Sequence, residues 1–243
     1  MAYALVTGCA KRIGRAIAIA LARKGYDIAI HYRQSQQEAR SLGAQIEALG
    51  RTSQLYAADL TADEDILNLL PRIKADKLPL ELLVNNASIY ESATIQETEL
   101  ALFERQWAAN LKAPFFLIRD FARLYQTGNI INIVDAGFAN NQSVYAAYAL
   151  TKKALAGLTK MAALELAPAI RVNGICPGFI LPPLRPEAED PNFIETITQK
   201  VPLKRQGHVE PIQRAVEYLL DNDFVTGQLL MVDGGEHLGV IPN

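Results

Sequence analysis

A chain of 243 residues, half of them hydrophobic and about a fifth charged, holds enough apolar material for a full core and is not the composition of a disordered protein. Its net charge of −2 and pI near 6.0 offer no basic field to a phosphate backbone or an anionic lipid surface, so a small-molecule partner is favoured over nucleic acid or membrane. Cys9 and Cys176 stand far apart with no CxxC spacing or histidine cluster, which argues against a disulfide framework or a metal site, and the absence of a targeting segment or a membrane-length apolar run makes a cytoplasmic setting the expectation.

Short apolar runs alternate with segments of helical period along the chain. Strands are expected at Ala4–Thr7, Asp27–Tyr32, Ser53–Ala58, Leu80–Asn85, Asn129–Asp135, Ile170–Ile175 and Gln228–Val232. Helices are expected at Ile13–Lys24, Gln36–Leu49, Glu64–Lys74, Leu100–Tyr125, Ala147–Leu166 and Val209–Leu220. Strict alternation predicts an α/β, doubly wound fold, a seven-stranded parallel sheet with helices on both faces. No repeat or linker interrupts it, so residues 1–243 read as a single domain. The segment Phe179–Val201 departs from the pattern, with four prolines and the acidic residues Glu187, Glu189 and Asp190. It reads as a long substrate-loop excursion with one short helix, Asn192–Gln199, of the kind that forms lids and binding loops.

The first strand runs into Thr7-Gly8-Cys9-Ala10-Lys11-Arg12-Ile13-Gly14 and then a helix. Glycines there permit close backbone approach, and the free N–H groups of the helix start suit a pyrophosphate. The same glycines would also serve a tight turn with no ligand. Near the end of the second strand, where NAD-specific sites place an acid for the ribose hydroxyl, the chain reads His31-Tyr32-Arg33-Gln34-Ser35. Arg33 and Ser35, joined by Lys11 or Arg12, could instead hold a 2′-phosphate, which makes NADPH the expected cofactor. Arg33 is otherwise an ordinary surface charge. Asp59, followed by Leu60 after the third strand, could bond an adenine edge or cap the next helix.

Tyr148 and Lys152 stand four residues apart on one helix and share a face. A phenol has an ordinary pKa near 10, and a neighbouring ammonium should draw it down towards the working range of a general acid.

Thr7-Gly8 with Gly14, Asp59, Asn85-Asn86-Ala87, Asn110, Tyr148 with Lys152, and Pro177-Gly178 together, in order and over the whole chain, resemble the short-chain dehydrogenase/reductase family. The resemblance implies a Rossmann fold. It also implies that Asn86 and Ala87 line the cofactor, that Asn110 holds a proton-relay water at a main-chain kink, and that Pro177 and Gly178 flank the nicotinamide. Three departures from the family pattern stand out: Arg12 where most members carry a glycine, Ser88 where most carry another, and Asp135 in place of a catalytic serine. All three resemble the pteridine reductase branch, as do His31, Tyr32 and Ser35. Gln34 replaces that branch's arginine.

A serine beside the tyrosine suits the alkoxide that develops when a ketone is reduced, whereas a carboxylate would repel it. Asp135 suits a pterin, whose ring N–H and amino groups donate to a carboxylate and whose C=N bond can take a proton through Tyr148. As a strand-end aspartate it could simply cap a turn. Tyr90 stands where pteridine reductases stack an aromatic on the substrate, and Arg12 and Ser88 are further candidate contacts for pterin and cofactor. The expected activity is NADPH-dependent reduction of a dihydropterin or dihydrofolate. A 3-oxoacyl thioester reductase is the alternative within the family, and a non-catalytic NADPH-binding regulator the alternative outside it. Family likeness also implies a homotetramer built through the helices Leu100–Tyr125 and Ala147–Leu166.

Overall fold

The computed structural model describes residues 2–140, 144–182 and 190–239. Seven parallel strands form one sheet: β1 (Tyr3–Val6), β2 (Asp27–Tyr32), β3 (Ser53–Ala57), β4 (Leu80–Asn85), β5 (Gly128–Ile133), β6 (Ile170–Pro177) and β7 (Leu229–Val232). Their spatial order is β3-β2-β1-β4-β5-β6-β7. Parallel pairing requires a crossover at every step. The crossovers are α1 (Arg12–Arg23), α2 (Gln36–Ala48), α3 (Asp63–Ala75), a long helical run closing in α4 (Leu100–Trp107) and α5 (Ala113–Tyr125), α6 (Ala146–Leu166), and a final return through α7 (Pro191–Lys200) and α8 (Val209–Asp221).

Successive strand residues point to opposite faces, so each strand supplies two cores. Ala4, Val6, Ile28, Ile30, Leu82 and Val84 cluster with Ile17 and Leu21 of α1, Leu42 and Ile46 of α2, and Ile212 and Val216 of α8. Leu5, Ala29, Leu83 and Ile130 cluster with Ile66, Leu69 and Ile73 of α3, Leu117 and Phe121 of α5, and Ala162 of α6. Burial on both faces is why the strands read as continuous apolar runs. Phe121 is fully buried, and truncating such a side chain to alanine costs about 3–5 kcal/mol.

The expected elements are present with ends shifted by a residue or two. The helix expected over 100–125 contains a π turn at Ala108–Lys112, which places Asn110 at the main-chain kink; single π turns of this kind cluster at functional sites. Short 3-10 turns at Ala136–Ala139 and Glu236–Leu238 have no sequence period and were not anticipated. In the excursion, the short helix spans Pro191–Lys200, one residue longer at each end than expected, while Glu187 and Glu189 lie outside the described residues. Because the strand order reverses at β1 and β4, their carboxyl ends open a crevice, the place where doubly wound sheets bind ligands.

Candidate active site

A cavity of about 840 Å³ crosses the carboxyl ends of the strands. Its walls run from Arg33 after β2 and Asp59 after β3, past the turn at Gly8–Gly14, to Asp135 after β5 and Pro177–Leu181 at the end of β6.

The turn at the β1 end is held by side chains. Thr7 Oγ1 accepts from the backbone N–H groups of Asn86 (2.9 Å) and Ala87 (3.0 Å), and Asn86 Nδ2 donates back to the Thr7 carbonyl at 2.8 Å. The β4 loop is thereby clamped to the β1 loop. Gly8 has φ +62, and a Cβ there would come within 3.0 Å of the Ala87 backbone, so both its conformation and its surroundings demand glycine. Its N–H donates to His31 Nδ1 at 2.9 Å, which leaves the ring proton on Nε2, 3.1 Å from the Ala58 carbonyl. His31 is a buried tie across β1, β2 and β3, and burial pulls its pKa down to about 4.

Arg12 also adopts a left-handed backbone, φ +56, at the position where the family commonly carries glycine. Its guanidinium donates to the carbonyls of Leu181 (3.4 Å) and Pro182 (2.8 Å), joining the first turn to the excursion. Lys11 pairs with Glu38 at 2.6 Å in the open, where solvent screens the contact. Exposed Arg33 has no such partner among the described residues. Asp59 accepts from the Thr61 amide and hydroxyl at 2.9 and 2.8 Å. Burial acts to raise its pKa, but these bonds outweigh it and hold the carboxyl below its usual value. Its side chain therefore organises the turn after β3.

At the other half of the cavity, Tyr148 OH donates to Asp135 Oδ2 at 2.7 Å, while Asp135 Oδ1 accepts from the Gly137 amide at 2.6 Å. Asp135 thus caps the turn and binds the phenol with the same carboxylate. Lys152 is buried and donates to the Ile133 carbonyl at 3.0 Å. The expected lowering of the Tyr148 pKa by Lys152 is corrected: burial first, then the Asp135 charge and hydrogen bond, push the phenol well above 10. Burial also brings Lys152 down to about 8, and its ammonium sits 5.7 Å from the centre of the Tyr148 ring. The geometry keeps Tyr148 as a neutral proton donor whose proton faces a carboxylate. Tyr90 stacks on Tyr145 (4.5 Å, 11°) and meets Tyr148 edge-on at 4.7 Å.

Of the residues predicted for the site, Gly8, Lys11, Arg12, Ile13, Gly14, His31, Arg33, Asp59, Leu60, Asn86, Ala87, Ser88, Tyr90, Asp135, Tyr148, Lys152, Pro177 and Gly178 all line this cavity. Tyr32, Ser35 and Asn110 do not. Tyr32 is buried in the core beside α1 and α2, because an alternate strand residue after His31 must face the opposite side. Ser35 sits at the start of α2. Asn110 is buried, and its side chain accepts from Ile89 N (2.8 Å) and Ser88 Oγ (3.1 Å) and donates to the Ile89 carbonyl (2.9 Å). It positions the 88–89 loop instead of presenting its amide to the cavity. Tyr145, Phe179, Phe193, Ile197, Lys200 and Glu236 also line the cavity and were missed. Phe193, Ile197 and Lys200 share one face of α7, an i, i+4, i+7 spacing that was legible, but only the tertiary packing of α7 shows which face looks inward.

The residues fit a dinucleotide: a glycine turn at a helix start, three cations beside it and a neutral acid at the far half. No group of three or more His, Cys, Asp or Glu is placed to hold a metal among the described residues, and no helix among them is long and apolar enough to cross a membrane.

A family model described as enoyl-(acyl carrier protein) reductase, of the short-chain type, matches residues 8–237. A 3-oxoacyl-[acyl-carrier-protein] reductase, FabG, from Staphylococcus epidermidis is 31% identical over 97% of this chain and 98% of its own length. Among solved structures, FolM alternative dihydrofolate reductase 1 from Brucella canis, complexed with NADP, superposes with TM-score 0.92 at 35% identity, covering 99% of this chain and 96% of that one. A blue fluorescent protein from a metagenomic library, in complex with NADPH, superposes with TM-score 0.89 at 32% identity, covering 96% and 97%.

Proposed function

The chain belongs to the short-chain dehydrogenase/reductase family, and on that premise we propose that it is an NADPH-dependent reductase whose acceptor is the C=N bond of a dihydropterin or dihydrofolate. The observation that carries this reading is the 2.7 Å bond from Tyr148 to Asp135, a carboxylate in the place where carbonyl reductases of the family carry a serine. A carboxylate beside the acid disfavours a developing alkoxide by charge repulsion, yet favours a ring that presents N–H donors. The cofactor's presence in FolM and in the blue fluorescent protein supports the NADPH part of this reading.

The Gly8–Gly14 turn would take the pyrophosphate, Arg33 and Lys11 a 2′-phosphate, and Lys152 the nicotinamide ribose. NADPH, when bound, supplies the hydride that reduces the carbon of the C=N bond. Tyr148 gives its proton to the ring nitrogen, and Asp135 holds the phenol in position until solvent restores that proton. The aromatic wall of Tyr90 and Tyr145 provides a flat face for a flat ring.

A second reading, a 3-oxoacyl thioester reductase, rests on the identity to FabG. One assay separates them: NADPH oxidation with dihydrobiopterin, dihydromonapterin, dihydrofolate and an acetoacetyl thioester. Turnover with any of the first three supports the pterin reading, and turnover of the thioester alone sinks it. The exposed apolar residues Leu100, Phe115, Leu150, Met161 and Leu164 on α4, α5 and α6 support a homotetramer through these helices, which sedimentation analysis tests.

A further inference from the structure

Glu236 is a carboxylate that the reaction as described does not use. It stands on the turn after β7, held in place by the preceding aspartate: Asp233 accepts from the Gly235 amide (3.0 Å), the His237 amide (2.8 Å) and His237 Nδ1 (2.7 Å). This turn touches both ends of the excursion. Glu236 Oε2 accepts from Phe179 N at 3.0 Å, and Leu203 N donates to the Gly234 carbonyl at 3.2 Å. A Cβ on Gly178 would lie 2.6 Å from Glu236 Oε2, so the carboxylate packs directly over the residue that leads out of β6. Glu236 is half-buried and lines the cavity shared with Asp135 and Tyr148. Its second oxygen, Oε1, has no hydrogen bond or ion pair among the described residues. Burial and the nearby charges of Asp135 and Asp233 raise its pKa, as expected for carboxylates gathered at one half-buried place.

We infer that Glu236 is a specificity-determining residue, its Oε1 accepting a hydrogen bond from an N–H donor of the substrate, on an amino-pyrimidine edge, while Asp135 serves the reacting end. The pair of acceptors selects a ring bearing donors at two places and disfavours a 3-oxoacyl group, which brings none to the reacting end, since an unmatched carboxylate facing the ligand is costly. This inference rests on the pterin reading and names the part of the ring that the protein recognises.

The test is steady-state kinetics of the wild type and of Glu236→Gln, each with a dihydropterin and with its analogue lacking the exocyclic amino group. Glutamine keeps an oxygen for Phe179 N, so the excursion stays anchored while the charged acceptor is lost. A charge-assisted bond of this kind predicts a rise of about 10-fold or more in KM for the dihydropterin. KM for NADPH stays within about twofold, and the analogue's KM does not differ between the two proteins. An unchanged dihydropterin KM, a rise in NADPH KM instead, or equal losses with both compounds overturns the inference while leaving the pterin reading standing. Failure of the wild type to oxidise NADPH with any dihydropterin overturns both. Glu236→Ala, which also loses the Phe179 bond, should add a loss in kcat that Glu236→Gln does not show.

Discussion

Replacing Asp135 by asparagine isolates the charge that distinguishes this site. The variant keeps an oxygen for the Gly137 amide, now 2.6 Å away, so the turn that Asp135 caps survives, whereas alanine would forfeit a cap worth roughly 1 kcal/mol. What changes is the Tyr148 environment. In the wild type the phenol donates to a carboxylate at 2.7 Å and is pushed well above 10 by burial and by that charge. A hydrogen bond to a charged group contributes about 1.5–3 kcal/mol against about 1 kcal/mol for a neutral one. The difference of about 1–2 kcal/mol corresponds to about one pKa unit, at 1.36 kcal/mol per unit. The prediction is a Tyr148 pKa lowered by about one unit in Asp135→Asn, still raised by burial. Ultraviolet difference titration of the tyrosinate, with Tyr148→Phe as reference, reads it directly. Loss of the carboxylate that orients the acid should also lower dihydropterin turnover about 100-fold, with NADPH affinity by fluorescence within about twofold of wild type. An unmoved Tyr148 titration, or equal losses of turnover and NADPH binding, would refute the charge argument and leave Asp135 as a turn cap.

Tyr148→Phe removes the proton donor and should cost about 100-fold or more in kcat while NADPH still binds, measured by single-turnover oxidation beside a fluorescence titration. Arg33→Ala should raise KM for NADPH about 10-fold or more and leave KM for NADH unchanged; parallel changes for both cofactors would show that Arg33 does not read the 2′-phosphate. His31 has a folded pKa of about 4 against an ordinary 6.5, so the unfolded chain takes up the proton first as pH falls. Its contribution to stability is complete above about 6.5, shrinks from there and is fully lost by about 4, a change of roughly 3 kcal/mol. Urea denaturation of the wild type and His31→Gln at pH 7.5 and 4.5 checks this, the variant being expected to lose less than the wild type over that interval.

The order of strands and helices, the glycine turn and the Tyr148/Lys152 pair were legible in the residues because each depends on local chemistry. Apolar runs buried on both faces, a positive-φ glycine at Gly8 and an i, i+4 spacing on α6 leave marks within a few neighbouring positions. So does the exchange of serine for Asp135. Electrostatics were not legible in the same way. Lys152 was expected to lower the phenol's pKa, but burial and the facing carboxylate act in the opposite direction, and neither quantity exists until the chain has folded. His31 and Asn110 carried family signals but no sign that one ties three strands together and the other anchors the 88–89 loop. Tyr145, Phe193 and Glu236 come from a loop, from α7 and from the turn after β7. They meet Asp135 and Tyr148 only because a doubly wound sheet brings the carboxyl ends of its strands to one crevice, and that convergence of distant segments is a property of the tertiary fold alone.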